Sequence, residues 1–243
     1  MTIRKMAVAA LLSMGLAAGA LAEEAKQKEN PADPWEGFNR GVFAFNDTID
    51  GAVVKPLAKG YKAVTPDVVE TGVSNVFSNL GEVGNIVNGL LQFKLGQASN
   101  DTGRLLINST FGLAGLFDVA KHMGLEKGTG EDFGQTLAAW GVDSGPYIVL
   151  PLLGPTTLRD GVGLPADSYL NPVTHIDHVP TRNTTFATEL LDTRASLLGA
   201  EGAISGDKYS FIRDAYLQRR EYLINDGQVE DDFGADLDDE EDF

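Results

Sequence analysis

Apolar residues recur at helical spacing along most of this chain, and glycine or proline interrupts them at short intervals. The clearest stripe consists of Phe38, Val42, Phe45, Ile49 and Val53, which fall within an arc of about 80° on a helical wheel. Glycine supplies 28 of the 243 residues, well above the usual share of about 7%. A bundle of long helices would not be broken so often. The pattern therefore predicts a mainly α-helical domain of many short amphipathic helices with little strand.

Helix breakers set the predicted boundaries. We expect Lys55-Pro56 to end the first helix, and Gly81 and Gly84 to divide the next apolar stripe into two helices. Thr156 or Thr157 can cap a short helix that runs through Arg159. The remaining expectations are helices over 105–108, 113–122, 132–140, 186–198 and 209–223, an extended or irregular segment over 147–153, and a loop from Gly161 to Pro180.

The apolar stripes allow two interpretations. Short amphipathic helices can bury these faces in a core, or they can lie around a rim that faces lipid. The same choice applies to Phe38, Phe43 and Phe45. Periodicity alone does not separate the two, because it groups residues on a face without identifying what covers that face.

Both ends of the chain differ from its body. Arg4 and Lys5 precede the apolar run 6–20, and Ala20-Leu21-Ala22 has the small residues of a cleavage site, so we expect 1–22 to be a cleaved secretory signal peptide rather than a retained anchor helix. Residues 230–243 hold nine acidic residues and no basic one. We expect 229–243 to be an acidic disordered tail, which leaves 23–228 as the folded domain. The tail would keep the protein soluble, or it would attract a basic partner or divalent cations.

Composition and motifs exclude several function classes. The sequence has no cysteine, which excludes thiolate metal sites, iron–sulfur clusters and a thiol nucleophile. Its net charge of −16 argues against nucleic-acid binding. It has neither a G-x-S-x-G elbow nor a phosphate-binding glycine loop, so no catalytic residue or cofactor is predicted. His175 and His178 have the wrong spacing for a zinc helix, and a surface loop explains them better than a metal site.

A series of motifs resembles the MlaA (VacJ) family of outer-membrane phospholipid transport proteins. The resemblance covers residues 31–228 in order, and the whole series is more specific than any single motif. Its members are Asp33-Pro34-Trp35-Glu36-Gly37-Phe38-Asn39-Arg40, Ser74-Asn75-Val76-Phe77-Ser78-Asn79-Leu80, Gly115-Leu116-Phe117-Asp118, Glu131-Asp132-Phe133-Gly134-Gln135-Thr136-Leu137, Trp140-Gly141, Gly145-Pro146-Tyr147, Leu158-Arg159-Asp160 and Arg213 with Arg219-Arg220.

The resemblance implies a ring-like helical domain with a central amphipathic channel, on the periplasmic side of the outer membrane. Mislocalised phospholipids would leave the outer leaflet through this channel and pass to a periplasmic lipid carrier, the MlaC-like partner. A trimeric outer-membrane porin is the second implied partner. The family is usually anchored through a lipid-bearing cysteine, which this sequence lacks, so we expect apolar helix faces and the porin to provide attachment.

The resemblance also suggests residue roles. Gly141, Gly145, Pro146 and Tyr147 match the family's hinge beside the channel. Candidates for a membrane-contacting face are Phe38, Val42, Phe43, Phe45 and Ile49. Candidates for charge pairing or for binding lipid headgroups are Asp132, Arg159, Asp160, Arg213, Arg219 and Arg220.

Two other function classes remain beside the transporter. An envelope scaffold would bind porins without moving lipid, and a lipid-hydrolysing enzyme is disfavoured because no nucleophile motif is present. Transfer of phospholipid distinguishes the transporter from the scaffold.

Overall fold

The computed structural model describes residues 30–228. The predicted signal peptide and acidic tail lie outside the described residues. The elements are α1 (Glu36–Ile49), a π-helical segment (Asp50–Val54), α2 (Lys55–Val64), α3 (Asp67–Leu91), α4 (Leu95–Thr110), α5 (Val119–His122), α6 (Phe133–Ala139), β1 (Tyr147–Leu150), β2 (Gly154–Thr157), α7 (Leu158–Leu170), α8 (Val179–Leu197) and α9 (Lys208–Ile224), with short 3₁₀ turns at Pro172–His175 and Leu198–Ala203. The predicted mainly α-helical class is confirmed.

The predicted helix end at Pro56 is wrong. Proline has no N–H to donate and strains the turn before it, and the backbone widens into π-helix over Asp50–Val54 just ahead of it. The N–H of Lys55 donates to the carbonyl of Asp50, five residues back. Helix α1 thus continues through the π-helical segment into α2, which ends at Val64 before the extended residue Thr65.

The predicted break at Gly81 and Gly84 is also wrong, because both lie inside the single 25-residue helix α3. A helical glycine costs only about 1 kcal/mol, and packing of α3 along α4 overcomes this. The two helices approach closely at Gly89, where an added Cβ would lie 3.4 Å from the Cβ of Ala98. Tertiary contact therefore overrides the local breakers.

The helices predicted around Gly112 are placed differently in the structure. Residues 105–108 belong to the longer helix α4, whereas most of 113–122 is a turn and α5 has only four residues. Leu113, Ala114 and Gly115 have φ angles of 53°, 57° and 91°, which end helical structure. An added Cβ at Gly112 would collide with the carbonyl oxygen of Phe117, so the turn requires glycine there.

The expectation of a loop from Gly161 to Pro180 is wrong at both ends and holds only for 171–178, which are irregular apart from a 3₁₀ turn. Helix α7 runs to Leu170 with Pro165 inside it, and α8 begins at Val179 with Pro180 in its first turn. A proline in the first turn sacrifices no hydrogen bond. Pro165 lies in the part of α7 that packs closely on α6, and this packing offsets the cost of the proline. The closeness is seen at Gly163, where an added Cβ would lie 3.0 Å from the backbone nitrogen of Gly134.

Other local predictions are confirmed. The helix predicted over 132–140 is α6, and Thr157, one of the two predicted caps, caps α7. The structure adds a cap that was not predicted, because Asp132 accepts from the N–H of Gln135 at 2.8 Å. Residues 147–150 are extended and pair antiparallel with β2, with Tyr147 opposite Thr157. Helices α8 and α9 contain the two C-terminal apolar stripes.

The apolar core is small and lies where the β-hairpin meets α1 and α9. Tyr147, Val149 and Tyr209 form its buried centre, against which Val42, Phe43, Tyr216 and Leu217 pack. The rings of Phe43 and Tyr209 meet edge to face at a centroid distance of 5.5 Å. Most of the other helices make their contacts outside this cluster.

Candidate functional site

The interior of the described domain is predominantly polar. Among residues 30–228, buried polar and charged residues outnumber buried apolar ones, and Arg104 and Glu82 are among the largest fully buried side chains. Burying charge is costly unless each group is paired and hydrogen-bonded. The helices are therefore held together largely by ion-pair and amide networks.

One such network joins α3, α4 and the turn after α4. The guanidinium of Arg104 donates to Glu82 at 2.9 Å, to the carbonyl of Leu125 at 2.7 Å and to Asp118 at 3.2 Å. Burial opposes ionisation of Asp118, but hydrogen bonds from Asn108 and Arg104 outweigh it and keep the pKa of Asp118 below its usual range. The network fixes both helices against the turn.

A second network brings together four charged residues singled out in the sequence. The guanidinium of Arg220 donates to Asp132 at 2.5 Å and to Asp160 at 3.0 Å, and that of Arg159 donates to Asp160 at 2.9 Å. Burial opposes ionisation of Asp132, yet its hydrogen bond with Arg220 lowers its pKa. These side chains connect α6, α7 and α9, so their structural partners are already present.

The other two candidate arginines lie elsewhere on α9. Arg213 donates to Asp33 at 3.3 Å and to Asp214 at 2.8 Å rather than to Asp160. Arg219 is exposed and makes no ion pair with residues 30–228. Of the three arginines on α9, Arg219 is thus the one whose guanidinium remains open to an external anion.

Two asparagines of α1, which the sequence analysis gave no role, bond to the backbone of β1 and of the turn after it. Asn39 donates to the carbonyl of Tyr147 at 3.1 Å and accepts from the N–H of Val149 at 2.9 Å. One heptad later, Asn46 donates to the carbonyl of Leu150 at 2.9 Å and accepts from the N–H of Leu152 at 2.8 Å. Each side-chain amide thus makes the two backbone hydrogen bonds that a neighbouring strand would otherwise make. Their seven-residue spacing on one helix face was the available signal.

The predicted hinge residues connect α6 to β1. Gly141 and Gly145 have φ angles of 86° and 65°, a conformation that favours glycine. An added Cβ at Gly141 would meet open space, whereas one at Gly145 would lie 3.1 Å from the Cβ of Leu158. Tyr147, which follows Pro146, is fully buried, and burial raises its pKa to about 12. A hinge role for this segment stays a prediction.

The exterior carries the apolar surface that the interior lacks. Phe38 and Phe45 are 59% and 51% exposed, while Val42, Phe43 and Ile49 are half-buried. The core interpretation therefore holds for Phe43 and fails for Phe38 and Phe45. Phe38 and Phe45 are seven residues apart, so their exposed rings lie on one side of α1.

Exposed apolar residues also occupy the turns at the two ends of the α3–α4 pair. Phe93 is 84% exposed with φ 61°, and Phe111 is 73% exposed beside the left-handed turn at Leu113. Non-glycine residues rarely adopt positive φ, and strain of this kind concentrates at functional positions. No helix within residues 30–228 combines the length and hydropathy needed to cross a membrane.

Hydroxyl groups on exposed helix faces bond to their own helices. Thr110 donates to the carbonyl of Leu106 at 2.6 Å, and Thr184 donates to that of Pro180 at 2.8 Å. Such i−4 bonds satisfy a hydroxyl without water. These faces therefore suit apolar surroundings as well as aqueous ones.

A cavity of about 700 Å³ opens between α1, the β-hairpin, α8 and α9, in the size range of small-molecule sites. Its apolar wall includes Phe43, Val149, Leu197, Phe211 and Ile212. Six charged residues also line the cavity, and we call this set the ionic rim. They are Asp47, Asp50, Lys55, Arg194, Glu201 and Lys208.

The ionic rim is internally paired. Arg194 binds Asp50 through two hydrogen bonds of 2.7 and 2.8 Å and also contacts Glu201, which lies 2.7 Å from Lys55. The hydrogen bond with Lys55, followed by that with Arg194, lowers the pKa of Glu201 to about 2. All three carboxylates of the rim thus have a cation beside them.

A smaller cavity of about 260 Å³ lies on the other side of the hairpin, bordered by the Arg220 network. Gly154 and Pro155 line both cavities, so β2 separates them. Asp167 faces the smaller cavity and accepts from the N–H of Phe133 at 2.8 Å. Burial raises the pKa of Asp167 to about 6.

The histidine pair has structural partners. His175 bonds the carbonyl of Tyr169 at 2.7 Å, and His178 caps α8 at Thr181. Residues 30–228 contain no group of three or more histidine and acidic side chains suited to hold a metal ion.

Comparison with known proteins places this architecture among characterised relatives. The family model described as MlaA lipoprotein matches residues 31–223. The chain is 34% identical over 213 residues to the intermembrane phospholipid transport system lipoprotein MlaA of Escherichia coli (strain K12), covering 86% of this chain and 84% of the relative. It is 31% identical to the same-named protein of Haemophilus influenzae over 236 residues, 94% of either chain. A solved chain described as "Structural basis for maintenance of bacterial outer membrane lipid asymmetry" matches with a TM-score of 0.70 and 34% identity, covering 79% of this chain and 99% of that one.

Proposed function

The chain belongs to the MlaA lipoprotein family, and from this premise we propose that it removes mislocalised phospholipids from the outer leaflet of the outer membrane. The lipids pass through an amphipathic channel in a ring-like domain to a periplasmic lipid carrier. The carrier then returns them toward the inner membrane. No covalent chemistry is part of this function.

The inverted polarity of the domain is the observation that carries the proposal. Exposed apolar side chains such as Phe38, Phe93 and Phe111 surround an interior held by Arg104, Arg220 and their carboxylates. Such a distribution is stable where lipid chains cover the outside, because the exposed apolar groups are then removed from water. The paired charges inside help to hold the helices together, since the apolar core is small.

Energetics explain why a shielded route is needed. A diacyl phospholipid has about 30 chain carbons, and exposing each costs about 0.8 kcal/mol, so full exposure costs on the order of 20–25 kcal/mol. A protein that covers the tails and offers the headgroup a polar path removes most of this barrier. The cavity beside the hairpin supports this proposal, because both apolar and charged residues line it.

We place the domain on the periplasmic side of the outer membrane. Phe38 and Phe45 would contact acyl chains, while Trp35 and Trp140, both about half exposed, are residue types favoured at the membrane interface. A trimeric porin would provide further attachment, and the lipid carrier would dock at the periplasmic side.

The segment from Gly141 to Tyr147 would act as the hinge beside the channel. Gly141→Pro should impair lipid movement, because proline cannot adopt the φ of 86° found there. Helix content should stay unchanged, because Gly141 lies outside the helices. Gly124→Pro is the matched control. Gly124 also has a positive φ of 83°, has nothing within 4 Å of an added Cβ and donates its N–H to a preceding helix, yet it lies outside the hinge. Wild-type lipid asymmetry in the Gly141→Pro strain would refute the hinge role.

The decisive experiment measures phospholipid in the outer leaflet of cells with and without this chain, at matched porin levels. We expect surface phospholipid to accumulate on deletion and to return to its normal level on re-expression. Unchanged surface phospholipid would instead favour an envelope scaffold that binds porins without moving lipid.

A further inference from the structure

We infer that the 700 Å³ cavity selects zwitterionic phospholipids, such as phosphatidylethanolamine, over anionic ones, through its ionic rim. This inference rests on the proposed function and adds headgroup specificity to it. The phosphate and the ammonium of one headgroup would both be bound at the rim, with an acyl chain against the apolar wall.

The cavity is built for an amphipathic ligand. Phe43, Leu197, Phe211 and Ile212 line it together with the six charged residues of the ionic rim. An acyl chain on this wall leaves water, which provides the main favourable free energy. The headgroup then necessarily lies among the charges.

The charge count of the ionic rim is balanced. Three carboxylates, Asp47, Asp50 and Glu201, face three cations. Lys208 contacts Asp47, while Arg194 lies between Asp50 and Glu201. An anion-selective site would instead show an excess of cations, which is absent from this rim.

Balanced pairing distinguishes the two headgroup classes. A phosphate that binds Lys55 must compete with Glu201 for that cation. A zwitterionic headgroup compensates, because its ammonium pairs with the carboxylate that the phosphate displaces. An anionic headgroup with an uncharged terminus leaves that carboxylate without a cation and adds repulsion.

Partial exposure allows this exchange. The side chains of Lys55 and Glu201 are 33% and 31% exposed, and that of Lys208 is 44% exposed. Exposed ion pairs contribute little free energy, so a headgroup can replace them. The buried pairs of the Arg220 network would resist such replacement.

The test uses the full chain in mixed micelles that contain equal amounts of phosphatidylethanolamine and phosphatidylglycerol with identical acyl chains. Lipids that remain bound after purification are quantified by mass spectrometry. We expect wild-type protein to retain about threefold more phosphatidylethanolamine, the effect of about one exposed charge pair.

Two substitutions should shift this ratio in opposite directions. Glu201→Gln gives the rim a net positive charge and should shift retention about threefold toward phosphatidylglycerol, whereas Lys55→Gln should shift it away. Glu126→Gln makes the same chemical change at an exposed residue outside the cavity and should leave the ratio unchanged. Circular dichroism verifies that the variants are folded.

The outcomes separate this inference from the proposed function. Lipid retained without headgroup preference, or a ratio that neither rim substitution changes, would overturn the selectivity and leave lipid transport standing. Failure to retain either lipid would overturn binding at the cavity, whereas the proposed function is overturned by unchanged surface phospholipid on deletion.

Discussion

Replacing Asn39 should be among the most destabilising single substitutions in this chain. Its side chain is fully buried and makes three hydrogen bonds: it donates to Asp33 at 2.8 Å and to the carbonyl of Tyr147 at 3.1 Å, and it accepts from Val149. Alanine would leave two buried backbone groups of β1 without partners. Each such group costs about 1–3 kcal/mol, so we expect Asn39→Ala to lose about 3 kcal/mol.

Asn46→Ala is the matched control. It removes an equivalent pair of bonds, but Leu152, whose N–H it would leave unpaired, is exposed at the hairpin tip, where water can replace the amide. We expect a loss of about 1 kcal/mol.

Asn39→Asp tests the direction of the bonds. The new carboxylate would replace the NH₂ donor and face Asp33, so it should destabilise more than alanine at pH 7 and recover as acidification protonates it.

Urea unfolding of the full chain in one mild detergent, followed by circular dichroism, measures these differences. The reasoning is refuted if Asn39→Ala and Asn46→Ala agree within about 0.5 kcal/mol, or if Asn39→Asp matches Asn39→Ala at pH 7.

Two further predictions concern the α6–α7 junction. Gly134→Ala should destabilise the fold by about 2 kcal/mol through overpacking, because the added Cβ would collide with the carboxylate of Asp160. Gly84→Ala is the control: an added Cβ there has nothing within 4 Å, so this change should stabilise the fold by about 0.5–1 kcal/mol. Equal urea midpoints for the two variants would contradict this reasoning. The folded-state pKa of Asp167 is raised from 3.8 to about 6, so its ionisation opposes folding, and this penalty develops as pH rises from about 4 to 6. Asp167→Asn, which keeps an acceptor for the N–H of Phe133, should therefore melt above wild type at pH 7 and close to it below pH 4. A gap that does not change with pH would exclude this origin.

Local signals predicted the parts of the fold that depend on local chemistry. Thr157 precedes α7 as one of the two predicted caps, and its short side chain accepts from the N–H of Asp160 in the first turn. The prediction failed at Pro56, Gly84 and Pro165, where a breaker with a small local cost is overridden by packing between distant segments.

The candidate site was predictable only in part. The charged residues of the Arg220 network were recognisable from sequence, but the pairing of Arg213 with Asp33, 180 residues away, depends on tertiary structure. The outward orientation of Phe38 and Phe45 was equally inaccessible. A helical stripe has the same sequence pattern whether protein or lipid covers it.

The π-helical segment between α1 and α2 sets how far the faces of α2 are rotated relative to those of α1. One extra residue is accommodated in Asp50–Val54, so the faces of α1 and α2 are offset by about 100° relative to an unbroken α-helix. Deleting one residue there would regularise the backbone but turn α2, carrying Lys55 away from Glu201 and the buried Ala58 out of its contact. The length of this segment therefore sets where the charged residues of α2 lie, and its first residue, Asp50, also belongs to the ionic rim through its bonds to Arg194.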